Sequence, residues 1–355
     1  MLNARNIVPY SGPPSADIWV VGEAPGRQEE AIGLPFVGAS GQLLRSALAT
    51  FCDRKLADMR VCNAVRIRPV DNNFNEFLVS RKLASFEAKA LGPVRAGKFI
   101  ADDALPHVLH LRAELEQRRP NVVIALGNVA LWALTGHDKI SAYRGTVLQS
   151  FCGCKVVPTY HPAAVLRSYE FFPIFVADLL KAVRESAWPE IRRTPRYLTI
   201  NPSLAEVREA IALCHSAQLV AVDIETACGH ITRIGLAWAS DRAISIPLCD
   251  KKPPHLVSYW PTADEETEVL WLICNLLSSK VPKVMQNGDG YDIPWLMKHL
   301  RVPVRGVYHD TMYMHHALMA EMPKALGFMG SVYTDMPAWK EMRTDYKAGE
   351  EKDAE

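Results

Sequence analysis

Leu219-Val220-Ala221-Val222-Asp223-Ile224-Glu225-Thr226 is an apolar run that ends in two carboxylates one residue apart. A strand alternates its side chains with a period of two, so Asp223 and Glu225 fall on the same face. Two like charges held that close repel unless a cation lies between them, and the spacing therefore points to a divalent metal site. Downstream, Asn287-Gly288-Asp289-Gly290-Tyr291-Asp292 reads as a turn entering a helix, where Asp292 would supply a third oxygen ligand. Hard carboxylate donors favour Mg2+ or Mn2+, the ions of phosphoryl-transfer chemistry. Taken alone, Asp-x-Glu has a plainer alternative: an exposed strand end with solvated acids.

Two more strand-like runs follow, Ile231-Thr232-Arg233-Ile234-Gly235-Leu236-Ala237-Trp238 and Ala243-Ile244-Ser245-Ile246-Pro247-Leu248. Three successive strands opening with Asp-x-Glu resemble the ribonuclease-H-like fold of DEDD 3′–5′ exonucleases, and Asn287 to Asp292 resembles that family's second motif. His309-Asp310-Thr311-Met312, Leu326-Gly327-Phe328, Tyr333-Thr334 and Trp339-Lys340 are similar to the proofreading domain of phage-type family A DNA polymerases. The resemblance covers residues 195 to 345. It implies that Asp223, Glu225 and Asp292 hold two metal ions, with Asp310 supporting the site.

The family's third motif, Tyr-x-x-x-Asp on a later helix, has no counterpart here. Tyr346 and Glu350 give Tyr-x-x-x-Glu, with Gly349 between them in a charged tail. The chain therefore reads as the front part of a polymerase, a subunit of a split polymerase or a truncated product.

The length of 355 residues exceeds what one hydrophobic core usually serves, so two domains are expected. A formal net charge of +1 excludes a global basic field that would attract nucleic acid, leaving local patches to do so. The eight cysteines form no Cys-x-x-Cys and read as reduced, mostly core thiols. No apolar run approaches the ~18 residues of a membrane span. Trp188-Pro189-Glu190-Ile191-Arg192-Arg193-Thr194-Pro195-Arg196 combines prolines and arginines without an apolar period and marks a connector. The expected division is residues 1–188, a linker at 189–196, a second domain at 197–340 and a charged tail at 341–355.

In the first domain, Asp17-Ile18-Trp19-Val20-Val21 is a buried-strand signal that runs into Gly22-Glu23-Ala24-Pro25-Gly26. That is a tight turn at a strand's carboxyl end, where α/β folds place ligands. Gly33-Leu34-Pro35-Phe36-Val37-Gly38 follows, and Gly41-Gln42-Leu43-Leu44 opens a helix. Further strands are predicted at 59–65, 122–127 and 154–158, the last entering Thr159-Tyr160-His161-Pro162-Ala163-Ala164-Val165-Leu166-Arg167. Apolar strands alternating with helices predict a parallel sheet covered on both faces.

Gly-Glu-Ala-Pro-Gly, Pro-Phe-Val-Gly, the asparagine-bearing strand and the His-Pro loop occur in the order seen in uracil-DNA glycosylases. They most resemble family 4 and its phage-polymerase-fused relatives, over residues 15 to 185. The resemblance implies that Gly22, Phe36, Asn63 and His161 bind uracil. Asn63 would pair with the base edge through an amide that both donates and accepts, and Phe36 would stack on a flipped ring, against an alternative as plain core. His161 would stabilise charge on the leaving base, the alternative being a structural loop histidine. Glu23 would position water or steady an oxocarbenium-like sugar, the alternative being a turn cap. Leu166 and Arg167 would wedge into the minor groove and touch phosphate, the alternative for Leu166 being an ordinary helix-start apolar residue.

Family 4 carries an iron–sulfur cluster on four cysteines, two near the N-terminus. Here no cysteine precedes Cys52, and Cys152 and Cys154 are too few and too close, so no cluster is expected. Residues 70 to 120 form an expanded stretch whose Arg81, Lys82, Lys89, Arg95 and Lys98 would make either a DNA-facing loop or a solvated face.

The combined expectation is an α/β chain in which a uracil-glycosylase-like three-layer α/β/α domain with a parallel sheet precedes a ribonuclease-H-like exonuclease domain. Its function would be metal-dependent 3′–5′ exonuclease action joined to uracil recognition or excision in phage-type replication. The alternative is a non-catalytic DNA-binding subunit of a split family A polymerase. Expected partners are single-stranded, primer-end or uracil-containing DNA and a polymerase subunit, without a membrane, in the cytoplasm of a bacterium or a phage-infected host.

Overall fold

The computed structural model describes residues 6–252, 255–306 and 308–336, so the expectations placed on Trp339, Lys340, Tyr346, Gly349, Glu350 and the tail lie outside the described residues. The chain divides into two compact units. One runs up to Arg192 and takes in the segment beginning at Gly327; the other is Arg193–Leu326.

The first unit contains strands β1 (Ile18–Gly22), β2 (Arg60–Asn63), β3 (Leu78–Val79), β4 (Phe99–Ile100), β5 (Val122–Leu126), β6 (Leu148–Gln149) and β7 (Lys155–Thr159). Five form a sheet in the order β2-β1-β5-β7-β6, parallel except for the antiparallel β6–β7 edge. Strands β1, β5 and β7 are buried along their whole length, because alternate residues feed two cores. Val20, Ile124 and Val157 face Leu44, Leu48, Phe175 and Leu179, whereas Trp19, Val21, Val123 and Val156 face Leu111 and Trp132. Helices on both faces satisfy the burial that a parallel sheet requires. The expected parallel sheet is present, with β6 as an antiparallel edge strand. That strand has two residues, too few to show a period, and its hairpin is closed by Ser150 N donating to Cys154 O at 2.8 Å.

The expanded stretch contains the antiparallel β3–β4 pair and packs Phe74, Phe77, Val94 and Ile100 into the core, while Arg81, Lys82, Lys89, Arg95 and Lys98 remain exposed. The segment beginning at Gly327 belongs to the first unit. The physical reason lies in two buried cations. Arg144 donates two N–H bonds to Asp178 and a third to Ser331 Oγ at 2.9 Å. Lys181 Nζ donates to the carbonyls of Gly145, Ser331 and Thr334 at 2.6, 2.6 and 3.1 Å. Buried charge needs such partners, and helix Leu326–Tyr333 supplies them.

The second unit contains β8 (Tyr197–Ile200), β9 (Val220–Ala227), β10 (His230–Ala239), β11 (Arg242–Pro247), β12 (Cys249–Lys252), β13 (His255–Ser258), β14 (Lys283–Met285) and β15 (Tyr308–Asp310). The main sheet runs β15-β14-β9-β10-β11-β8. An antiparallel meander, β9-β10-β11, is flanked by strands parallel to their neighbours, which is ribonuclease-H-like topology. Val222 and Ile224 are buried with Val207, Ile211, Ile273 and Leu277, so Asp223 and Glu225 emerge on the opposite, exposed face of β9.

Candidate functional site

The carboxyl ends of β1, β2 and β7 open on one side of the first sheet, next to the β1/β5 neighbourhood where the strand order changes direction. In open α/β sheets that is where ligands bind. Glu23 follows β1, Asn63 closes β2 and His161 lies two residues beyond β7. With Phe36 and Arg167 they line a cavity of about 510 Å3, together with Gln28, Glu29 and Asn72.

Phe36 is 2% exposed and holds a left-handed backbone, φ 56°, which is costly for an aromatic residue and so must be enforced by its surroundings. Three neighbours enforce it. Glu29 accepts from Gly26 N at 2.9 Å and from the Phe36 backbone amide, and Arg45 Nη1 donates to Phe36 O at 2.9 Å. Gly41 lets the helix Ala39–Phe51 lie against that carbonyl, where a Cβ would collide with it. Gly22 stands behind the pocket, since a Cβ there would run into Asn63 Oδ1 and the tip of Phe36.

The electrostatics of the pocket suit an uncharged planar ligand. Asn63 is 4% exposed, and its Nδ2 is buried without a hydrogen-bond partner. Such an orphan donor is costly unless a ligand completes it. His161 Nδ1 accepts from Ala163 N at 3.1 Å, capping helix Pro162–Arg167, which leaves the neutral ring's proton on Nε2. Burial pushes the His161 pKa from 6.5 down to about 4, aided by the Arg167 charge, so the ring is neutral at pH 7. Its ring centroid is 6.1 Å from that of Phe36, at 32°. Burial raises the Glu23 pKa, with Arg95 and Arg167 pulling the other way.

Of the residues singled out in this unit, Glu23, Phe36, Asn63, His161 and Arg167 line one cavity. Leu166 does not line it and stands 46% exposed on the outer side of its helix. Sequence reasoning missed Glu29, Arg45 and Asn72. For Glu29 a signal existed, because a glutamate three residues after a helix N-cap reads as a capping pattern.

In the second unit, Asp292 is 3% exposed, and its Oδ1 accepts from the backbone N of Ile224, the residue between the two β9 acids, at 3.0 Å. Burial first, and the Asp223 charge second, raise its pKa from 3.8 to about 6. Asp310 accepts from Asn287 N, Gly288 N, Met312 N and Tyr308 Oη at 2.8–3.1 Å, which locks the turn before Asp292. Asp223 borders an apolar cleft of about 470 Å3 walled by Leu198, Leu236, Ile244 and Met285. Among the described residues no three His, Cys, Asp or Glu side chains gather so as to hold a metal ion. Asp292 spends one oxygen on a backbone amide, and Asp223 lies near enough for its charge to act on the Asp292 carboxyl. An iron–sulfur cluster needs four thiolates together, whereas among the described residues Cys52, Cys62 and Cys214 are buried singly and Cys152 and Cys154 are in hydrogen-bond contact as a pair. The cysteines present do not fit such a cluster. No helix among the described residues is long and apolar enough to cross a membrane.

The sequence pattern of the Uracil DNA glycosylase superfamily matches residues 9–187. A type-4 uracil-DNA glycosylase from Thermotoga maritima is 34% identical over 185 residues, 51% of this chain and 83% of the relative. A DNA polymerase of Bacillus phage SP01 is 24% identical over 236 residues, 58% of this chain and 25% of the polymerase. Among solved structures, RNase D of Trypanosoma brucei is similar at 16% identity and a TM-score of 0.27, over 40% of this chain and 55% of that one. The family match extends from before β1 to beyond helix Phe172–Glu185, and so takes in every strand end that faces the pocket; the chain belongs to the uracil DNA glycosylase superfamily.

Proposed function

We propose that the first unit excises uracil from DNA. The observation that carries this reading is the partnerless, buried Asn63 amide in a cavity shared with Glu23, Phe36 and His161. A uracil turned out of the stack would accept from Asn63 Nδ2 at O4 and donate its N3–H to Oδ1. Cytosine, with a donor where uracil has O4, would leave that amide unpaired. The neutral imidazole would donate Nε2–H to the oxygen on which charge grows as the glycosidic bond breaks, without cost for a buried imidazolium. Glu23 would steady positive charge on the sugar or orient the attacking water. Arg167 would hold phosphate, with Leu166 beside it at the duplex surface.

For the second unit we propose a DNA-holding module. Asp223, Glu225 and Asp292 would carry a Mg2+- or Mn2+-dependent 3′–5′ exonuclease only if a further group drew them together, and the partial match to a phage polymerase supports a polymerase chain as that partner. One assay separates these readings. A 5′-labelled single strand with one uracil is incubated with the chain and Mg2+, treated with alkali and resolved on a denaturing gel. A single band at the uracil is expected. An untouched strand would sink the excision reading, and a ladder shortening from the 3′ end, lost in Asp223→Ala, would sink the holding-module reading.

A further inference from the structure

Cys152 and Cys154 occupy the turn between β6 and β7, away from the pocket and used by nothing above. The turn is tight. Gly153, at φ 89°, bends the chain between them, its N donates to Ser150 O at 3.0 Å, and Ser150 N donates to Cys154 O at 2.8 Å. Cys152 Sγ lies 3.5 Å from Cys154 Sγ and 3.3 Å from Ser150 Oγ. A disulfide is about 2.05 Å long, so the sulfurs need to approach by roughly 1.5 Å. Cys152 is partly exposed and its partner is buried.

The surroundings favour a thiolate at Cys152. The hydrogen bond shared with Cys154 is the largest influence, Ser150 adds to it, and together they bring the Cys152 pKa below the ordinary thiol value despite burial. Arg112, whose guanidinium sits 4.6 Å from the Phe151 ring centroid, contributes positive charge near Cys152, and Arg119 does so near Cys154. Burial pushes the thiols of Cys52, Cys62, Cys214, Cys249 and Cys274 the other way. A low-pKa, accessible thiolate with a second thiol in contact is the arrangement that reversible oxidation uses.

We infer that Cys152 and Cys154 form a reversible oxidation site, in which hydrogen peroxide converts the dithiol of the β6–β7 turn into an intrachain disulfide. In the first step the Cys152 thiolate attacks one peroxide oxygen, the O–O bond breaks and hydroxide leaves to become water, giving a sulfenic acid. The Cys154 thiol is held protonated chiefly by its bond to the Cys152 sulfur, and that restraint disappears once Cys152 is oxidised. In the second step the Cys154 sulfur attacks that of Cys152, the S–O bond breaks and a second water leaves. Two thiols lose two electrons and two protons, and one peroxide becomes two waters.

The test treats the purified full chain with hydrogen peroxide, alkylates it under denaturing conditions and measures the tryptic peptide spanning residues 145–155, which contains both cysteines. The expected product takes up no alkyl group and is lighter by two hydrogens, and dithiothreitol before alkylation restores two alkyl groups. In Cys154→Ser the same treatment should leave a dimedone-reactive sulfenic acid on Cys152. A wild-type peptide that still takes two alkyl groups, or one oxidised to sulfinic acid without the cross-link, overturns the inference whether or not the variant folds.

Discussion

The pocket at the ends of β1, β2 and β7 and the acidic face of β9 are built from similar parts, polar side chains delivered by strand ends, yet only the first brings them to a common cavity. In the first sheet the three strands are parallel neighbours or near neighbours, so Glu23, Asn63 and His161 leave the sheet on the same side. In the second, two acids come from one strand and stand in solvent, while the third turns inward to a backbone amide. Parallel topology gathers residues that are distant in sequence. Alternation along a single strand sets a face but gathers nothing across it.

Four changes would sharpen or break that contrast. The largest effect is expected at Asn63→Ala, which removes the orphan amide; kcat/KM for uracil excision should fall about 10²–10³-fold with the fold intact, since a lost hydrogen bond to the reacting group costs that much. Near-normal excision would mean the cavity does not read uracil. His161→Asn keeps a cap for Ala163 N but cannot extend the Nε2–H, and a loss of roughly 10²-fold is expected. In the wild type the histidine's pKa is depressed from 6.5 to about 4. Its neutral form therefore stabilises the fold fully above pH 6.5, and that contribution is lost as pH falls toward 4. Excision measured across that range should show no histidine-linked loss near pH 6.5.

Gly22→Ala should displace Phe36 and Asn63 together, with a stability loss of about 1–3 kcal/mol by chemical denaturation and a parallel loss of excision. A stable, active variant would show that the pocket tolerates a shift. The smallest effect belongs to the second unit. Asp292→Asn keeps an acceptor for Ile224 N and removes the carboxylate whose pKa is raised to about 6. A raised acid favours the fold below its ordinary pKa of 3.8, and that advantage is lost as pH rises through 6. The variant should therefore gain on wild type by about 1 kcal/mol between pH 4 and pH 7, a figure reduced for solvent screening. No pH-dependent difference in the unfolding curves would place Asp292 in a wetter site than the geometry gives.

Much of the first site was legible because each key residue abuts punctuation: Gly22 before Glu23, Pro162 after His161, and the end of an apolar strand at Asn63. The main strands of the first sheet were legible by their apolar runs. What sequence did not carry was non-local. The φ of Phe36 depends on Arg45 and Glu29, the destination of Asp292 depends on a strand 68 residues earlier, and a two-residue edge strand has no period to read. The return of Ser331 to Arg144 spans 187 residues and rests on buried charges that look like surface ones in the sequence.

That return has a consequence for proteolysis. The connector around Arg192 and Arg193 offers a trypsin site, and a single cut there would sever the backbone without freeing the fragments from each other. Helix Leu326–Tyr333 would stay bound through Arg144 and Lys181, so the nicked protein should elute as one species on a sizing column and fall apart only in denaturant.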